Sequence, residues 1–171
     1  QSVYSYDVGS LPSVRDETDE KILLKLDWNI SEGQRASMTY QRNEGIDINV
    51  PNASASLRRL GYDSNWYFRP QNLEQLSVQV FSQWTDAFST EVKAGRKEVT
   101  SSQDPVRGKG FSEVQITTAG GGTIFIGPDQ FRHANILTND LNQFRVQGKY
   151  LFGDHTFTAG VELEQLEVFN Q

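Results

Sequence analysis

Six segments of this chain alternate apolar and polar residues with a period of two, and that periodicity constrains the fold more than any other feature. In "KILLKLDWNI" (21–30) Ile22, Leu24, Leu26, Trp28 and Ile30 take the even positions. Lys21, Lys25, Asp27 and Asn29 take odd ones, with Leu23 the only apolar intruder. Side chains on a strand point alternately to opposite faces, so the segment has one apolar face and one charged face. The same alternation runs through 35–41, 75–84, 88–95, 143–150 and 157–164, and is cleanest where Phe144, Val146, Gly148 and Tyr150 oppose Gln143, Arg145, Gln147 and Lys149. No competing helical period is present, and the expected fold class is all-β.

The connections sort into two kinds. "SEGQ" (31–34), "TDA" (85–87) and "GDH" (153–155) are short polar turns, whereas about 44–73 and 100–139 are long. Six strands therefore make three tight hairpins, with turns at one end of the sheet and long loops at the other. Loops of that length are uncommon in a compact domain unless they serve a function. Transmembrane β-barrels have this asymmetry, with short periplasmic turns and long extracellular loops.

Whether the apolar face meets a protein core or lipid is decided by what surrounds it. Trp28 precedes the first turn, Trp84 and Phe88 flank the second, and Tyr150, Phe152 and Phe157 surround the third. Aromatic rings favour the headgroup level and form girdles at the rims of membrane barrels; at the opposite rim Tyr40 and Phe169 are candidates. The other face carries Lys25, Asp27, Glu91, Lys93, Arg145, Lys149, Glu162 and Glu164, as a wet lumen permits. Ile22 to Ile30 reaches roughly 26 Å at ~3.3 Å per residue. Tilted as barrel strands are, that is roughly 20 Å of height, close to the ~25 Å apolar band of such barrels. A soluble β-sandwich also alternates, but shows turn signals every ~8–12 residues. The expectation is an antiparallel transmembrane β-barrel segment.

Composition excludes other classes. No run approaches the roughly 18 apolar residues of a membrane helix, which leaves a barrel untouched. The net charge of -6 argues against a general nucleic-acid binder. There is no cysteine, hence no disulfide framework or thiolate metal site, and no cofactor is expected.

Several stretches carry a family likeness. "SNWY" (64–67), "FSQWTDAFSTEVK" (81–93), "GGGTIFIGPDQFRHAN" (120–135) and "GDHTFTAGVELEQLEVFN" (153–170) resemble the barrel of TonB-dependent outer-membrane receptors, most closely the Oar-like subgroup. The resemblance covers most of residues 20 to 170. It implies a barrel of about 22 strands closed by a plug, localisation in the outer membrane of a Gram-negative bacterium, contact with lipid and lipopolysaccharide, and uptake powered by TonB. With six strands and neither plug nor TonB box, residues 1–171 are expected to be an internal slice of that barrel domain, unable to close alone.

No catalytic set is legible, and the chain is expected not to be an enzyme. His155 falls in a turn and His133 in a loop. Glu162 and Glu164 share a face, which a lumen wall explains better than a glycosidase pair. Gly120-Gly121-Gly122 lacks the Lys-Ser/Thr of a phosphate loop and reads as a turn. The most suggestive loop is "SLRRLGYDSNWYFRP" (56–70), whose guanidinium groups and aromatic faces suit flat or anionic ligands and sugars. Its candidate ligand-binding residues are Arg58, Arg59, Trp66, Tyr67 and Arg69, for a small-molecule, sugar or peptide ligand. The alternatives are a loop folded on its own aromatics, an adhesion or structural barrel without uptake, and a soluble β-sandwich binding module.

Overall fold

A computed structural model of the chain describes residues 6–12, 15–132 and 134–171. The elements in chain order are β1 (Thr18–Ser31), β2 (Gln34–Asn49), β3 (Arg59–Gly61), a 3-10 turn (Asp63–Asn65), β4 (Tyr67–Gln83), β5 (Phe88–Ser102), β6 (Asp104–Pro105), β7 (Val114–Thr117), β8 (Thr123–Ile126), β9 (Ile136–Phe152) and β10 (His155–Asn170). The main sheet is an antiparallel meander in the order β1-β2-β4-β5-β9-β10, with β6 attached to β4; β3, β8 and β7 form a second, small sheet. The fold is all-β, as expected. The barrel is not closed: β1 and β10 are the two edges of an open sheet.

All six long strands extend further than the alternation predicted, so the long connections shorten to 50–66 and 103–135. The registers explain why. One row across the sheet reads Trp28, Ala36, Val80, Val92, Val146, Val161, and the next reads Leu26, Met38, Val78, Ala94, Phe144, Leu163. Two rows nearer the loops, the same face reads Ile22, Arg42, Glu74, Glu98, Asp140, Glu167. The opposite face changes the other way: polar in the row Asp27, Ser37, Gln79, Lys93, Arg145, Glu162, it gains Leu73, Val99, Leu141, Leu166 and Val168 near the loops. The faces exchange polarity along the strands, so the loop-side halves carry no clean apolar alternation.

The apolar face is also the open one. Along β4, Leu76 and Val78 are exposed while Gln75, Ser77 and Gln79 between them are half-buried. Every residue of β1 and β10 is exposed. Two packed sheets of a sandwich lie about 10 Å apart with their apolar faces together. Among the described residues no second layer covers this face: Leu24, Leu26, Trp28, Val161 and Leu163 are each about 60% exposed or more. Of the two upper-rim candidates, Tyr40 sits at the upper limit of the apolar band, opposite Leu24 and Leu76, whereas Phe169 pairs with Thr138 beyond the charged row.

The hairpins are staggered in one direction. The row that contains Gln34, the first residue of β2, passes through Ser82, Thr90, Gly148 and Ala159, and β9 continues four residues beyond it to Phe152. A cumulative offset of this kind belongs to strands tilted against the axis around which a sheet curls.

Candidate functional site

The tightest packing in the molecule lies in its loops. Among the described residues the large buried apolar side chains are Trp66, Tyr67 and Phe125, accompanied there by Asp63, Ser64, Asn65 and Asp129. Ser64 and Asn65 are wholly buried at 0% exposure, so their polar atoms require partners. Ser64 Oγ accepts from the Gly127 amide at 3.0 Å. Asn65 Nδ2 donates to the Gly127 carbonyl at 3.0 Å and to Glu113 at 3.2 Å, while its Oδ1 accepts from Asn52 at 3.0 Å. Trp66 Nε1 donates to the Gly61 carbonyl at 3.0 Å. Gly127 has φ +79, and a Cβ there would meet the Ser112 carbonyl oxygen at 2.3 Å; only glycine suits this position.

Segments distant in sequence are knitted by this core. β3 pairs in parallel with β8, and β8 antiparallel with β7, so pieces of both long loops share one sheet. The segment before β1 joins them. Asp63 takes the amide of its own backbone to the Ser10 carbonyl at 3.0 Å, and Arg107 bridges the carboxylates of Asp63 and Asp7. That hydrogen bond to Asp63 raises the pKa of Arg107 and keeps it charged. Tyr6 stacks on Phe111 with ring centroids 4.0 Å apart, and burial pushes its hydroxyl pKa up.

The five sequence-selected residues divide within this arrangement. Trp66 and Tyr67 are 6% and 7% exposed and form the loop core. Arg69 lies on β4 and forks onto Asp47 of β2, with Nε 3.3 Å from Oδ1. Arg58 and Arg59 are exposed. Arg58, at φ +52, donates to the Gly120 carbonyl at 2.8 Å, and the Arg59 guanidinium lies 6.0 Å from the centre of the Phe125 ring. The selected residues are brought to one region but serve different parts of it.

Sequence reasoning missed the partners supplied by the second loop, Glu113, Gln115, Gln130 and Phe131. With Asn52, Arg59, Phe125 and Asp129 they line a cavity of about 180 Å³. Phe131 is a large ring left 74% exposed, and the "GPDQF" text around it was the available signal.

The remaining candidates lie outside this lining or outside the described residues. Gly120–Gly122 close the β7–β8 hairpin, where the Thr118 amide donates to the Gly122 carbonyl at 2.8 Å and Gly121 has φ +73. Glu162 and Glu164 stand opposite Arg145 and Gln143 on the polar face. His155 begins β10 and is exposed, and His133 lies outside the described residues. No group of metal-ligating side chains occurs among the described residues, and none of their helices is long and apolar enough to cross a membrane. Comparisons with protein-family models, with curated proteins and with solved structures each return no match.

Proposed function

We propose that residues 18–170 form part of the wall of an outer-membrane β-barrel receptor that takes up a ligand in a TonB-dependent manner. The observation that carries this reading is the apolar band. It crosses all six long strands on the more exposed face and stops at a charged row. In water such a face is unfavourable by about 25 cal/mol per Å² of apolar surface; against acyl chains it is at rest. The turn-side aromatics, the stagger of the hairpins and the open edges support the same reading, since strands on either side would continue the sheet.

Lipid and lipopolysaccharide then contact the outer face, and the polar face lines the lumen. The folded loops are extracellular and gather a small-molecule, sugar or peptide ligand. TonB acts through a plug and TonB box outside these strands, as the resemblance to TonB-dependent receptors implies. The role is transport rather than catalysis.

The test is ligand accumulation by cells carrying the full-length protein, with and without TonB. Accumulation that requires TonB supports uptake. Ligand held at the surface identically in both strains overturns uptake and leaves an adhesion role.

A further inference from the structure

We propose that the cavity between the three strands of the loop sheet and the 129–131 segment binds one neutral pyranose ring of a saccharide, with Phe131 as its stacking platform. The assignment deepens the uptake reading and, as a route for import, rests on it; the cavity itself is argued from its own geometry.

The lining comes from every part of the loop assembly: Arg59 from β3, Gln115 from β7, Phe125 from β8, and Asn52 and Gln130 from the connections. Its volume of about 180 Å³ is below the ~300 Å³ at which drug-sized sites begin. One ring fits, and the rest of a chain would extend outward past Phe131.

The chemistry of the lining selects among small ligands. Glu113 is already engaged: Gln115 Nε2 donates to Oε1 at 2.8 Å, and Asn65 Nδ2 and the Gln130 amide donate to Oε2 at 3.2 Å. These bonds fix Gln115 by its nitrogen and leave its carbonyl oxygen without a partner among the described residues. Asn52 is held the same way, donating to Asn65 while its own oxygen has no partner among the described residues. Arg59 makes no ion pair among the described residues and offers N–H donors, and Gln130 carries both a donor and an acceptor. An anion would want donors alone, and a cation acceptors alone. A sugar hydroxyl donates and accepts at once, which a mixed set of planar groups satisfies.

Phe131 supplies the apolar contact. A ring 74% exposed is costly in water, yet its backbone is anchored: the Phe131 amide donates to Asp129 Oδ1 at 2.9 Å, and the Arg132 amide to the Asp129 carbonyl at 3.2 Å. An exposed aromatic face offers the C–H face of a pyranose a large apolar contact.

The test uses the full-length protein in detergent micelles. It is titrated by NMR with the methyl glycosides of glucose, galactose, mannose and N-acetylglucosamine, and separately with inorganic phosphate. At least one glycoside is expected to bind saturably, with Kd of about 10 mM or tighter. Phe131→Ala should weaken it about tenfold or more, and Gln130→Ala should weaken it measurably. Both positions are exposed, and an unchanged Trp66 indole N–H resonance verifies that the loop core is intact. No saturable glycoside binding, binding indifferent to Phe131→Ala, or phosphate competing for the same resonances would each overturn the assignment. Binding without uptake in cells would overturn the import role and leave the saccharide site standing.

Discussion

Arg107 and Asp63 lie 44 residues apart in sequence and meet as a two-pronged ion pair, Nη2 to Oδ2 at 2.9 Å and Nε to Oδ1 at 3.2 Å. The same guanidinium reaches Asp7 at 2.6 Å, so one side chain clasps both long loops to the segment before β1. Arg107→Ala should leave Asp63, whose side chain is only 10% exposed, without its counter-charge and loosen the loops while the long strands persist. Limited trypsin digestion at Arg58 and Arg59 should then accelerate several-fold. Unchanged cleavage would show that the clasp does not hold the loops.

Gly9 is the other half of that junction. A Cβ on it would stand 1.5 Å from Asp63 Oδ1, and its φ is +79. Gly9→Ala should release the segment before β1, seen as faster amide exchange at Gly9 and at Asp63, whose amide bonds to Ser10. Exchange identical to that of the unmodified chain would contradict the close approach.

Trp66 fills the loop core and donates to Gly61. Trp66→Ala should cost about 3–5 kcal/mol of loop stability, the range for deleting a buried large aromatic. Denaturant titration followed by amide exchange in β7 and β8 separates loop opening from unfolding of the long strands. A loss confined to the long strands would place the core elsewhere.

Val146 and Gln147 are neighbours on opposite faces, Val146 between Val92 and Val161, Gln147 between Glu91 and Gly160. If the apolar band meets lipid, Val146→Arg should destabilise the membrane-embedded protein by about 2–4 kcal/mol, and Gln147→Arg by much less. Equal tolerance of the two substitutions would reverse or remove the assigned faces.

If the sheet spans the outer membrane, sidedness follows from the meander, because successive hairpins return to the same end of the sheet. Cysteines at Ser56 and Lys109, both exposed in the loops, should react on intact cells with a membrane-impermeant maleimide. One at Asp154, in the last turn, should react only after the outer membrane is permeabilised. Residues 1–171 contain no native cysteine to obscure the result. The opposite labelling pattern would invert the topology and remove the loops from ligand capture.

Six strands, their pairing into three hairpins and their alternating faces were legible in the sequence because side-chain alternation is a local property, carried by runs such as Phe144 to Tyr150. The loop-side halves were not legible: from Ile22 to Glu167 a charged row crosses the formerly apolar face, so the period-two contrast fades while backbone pairing continues. The loop site was half legible. Arg58, Arg59, Trp66, Tyr67 and Arg69 stood out as a cluster of guanidinium and aromatic groups, yet Trp66 and Tyr67 are turned inward and Arg69 is paired with Asp47. What decided their surroundings was the parallel pairing of β3 with β8, a contact between segments more than sixty residues apart that no local pattern announces.

The apolar band is assembled from every second residue of six separate strands, so it exists only once the sheet has formed. As an extended thread the chain is polar, with a mean hydropathy of -0.56, and nowhere presents an insertion machinery with a continuous greasy run. If the band meets lipid, such a chain would cross one bilayer unnoticed before settling in another, its membrane affinity generated by folding at the destination rather than carried along the route.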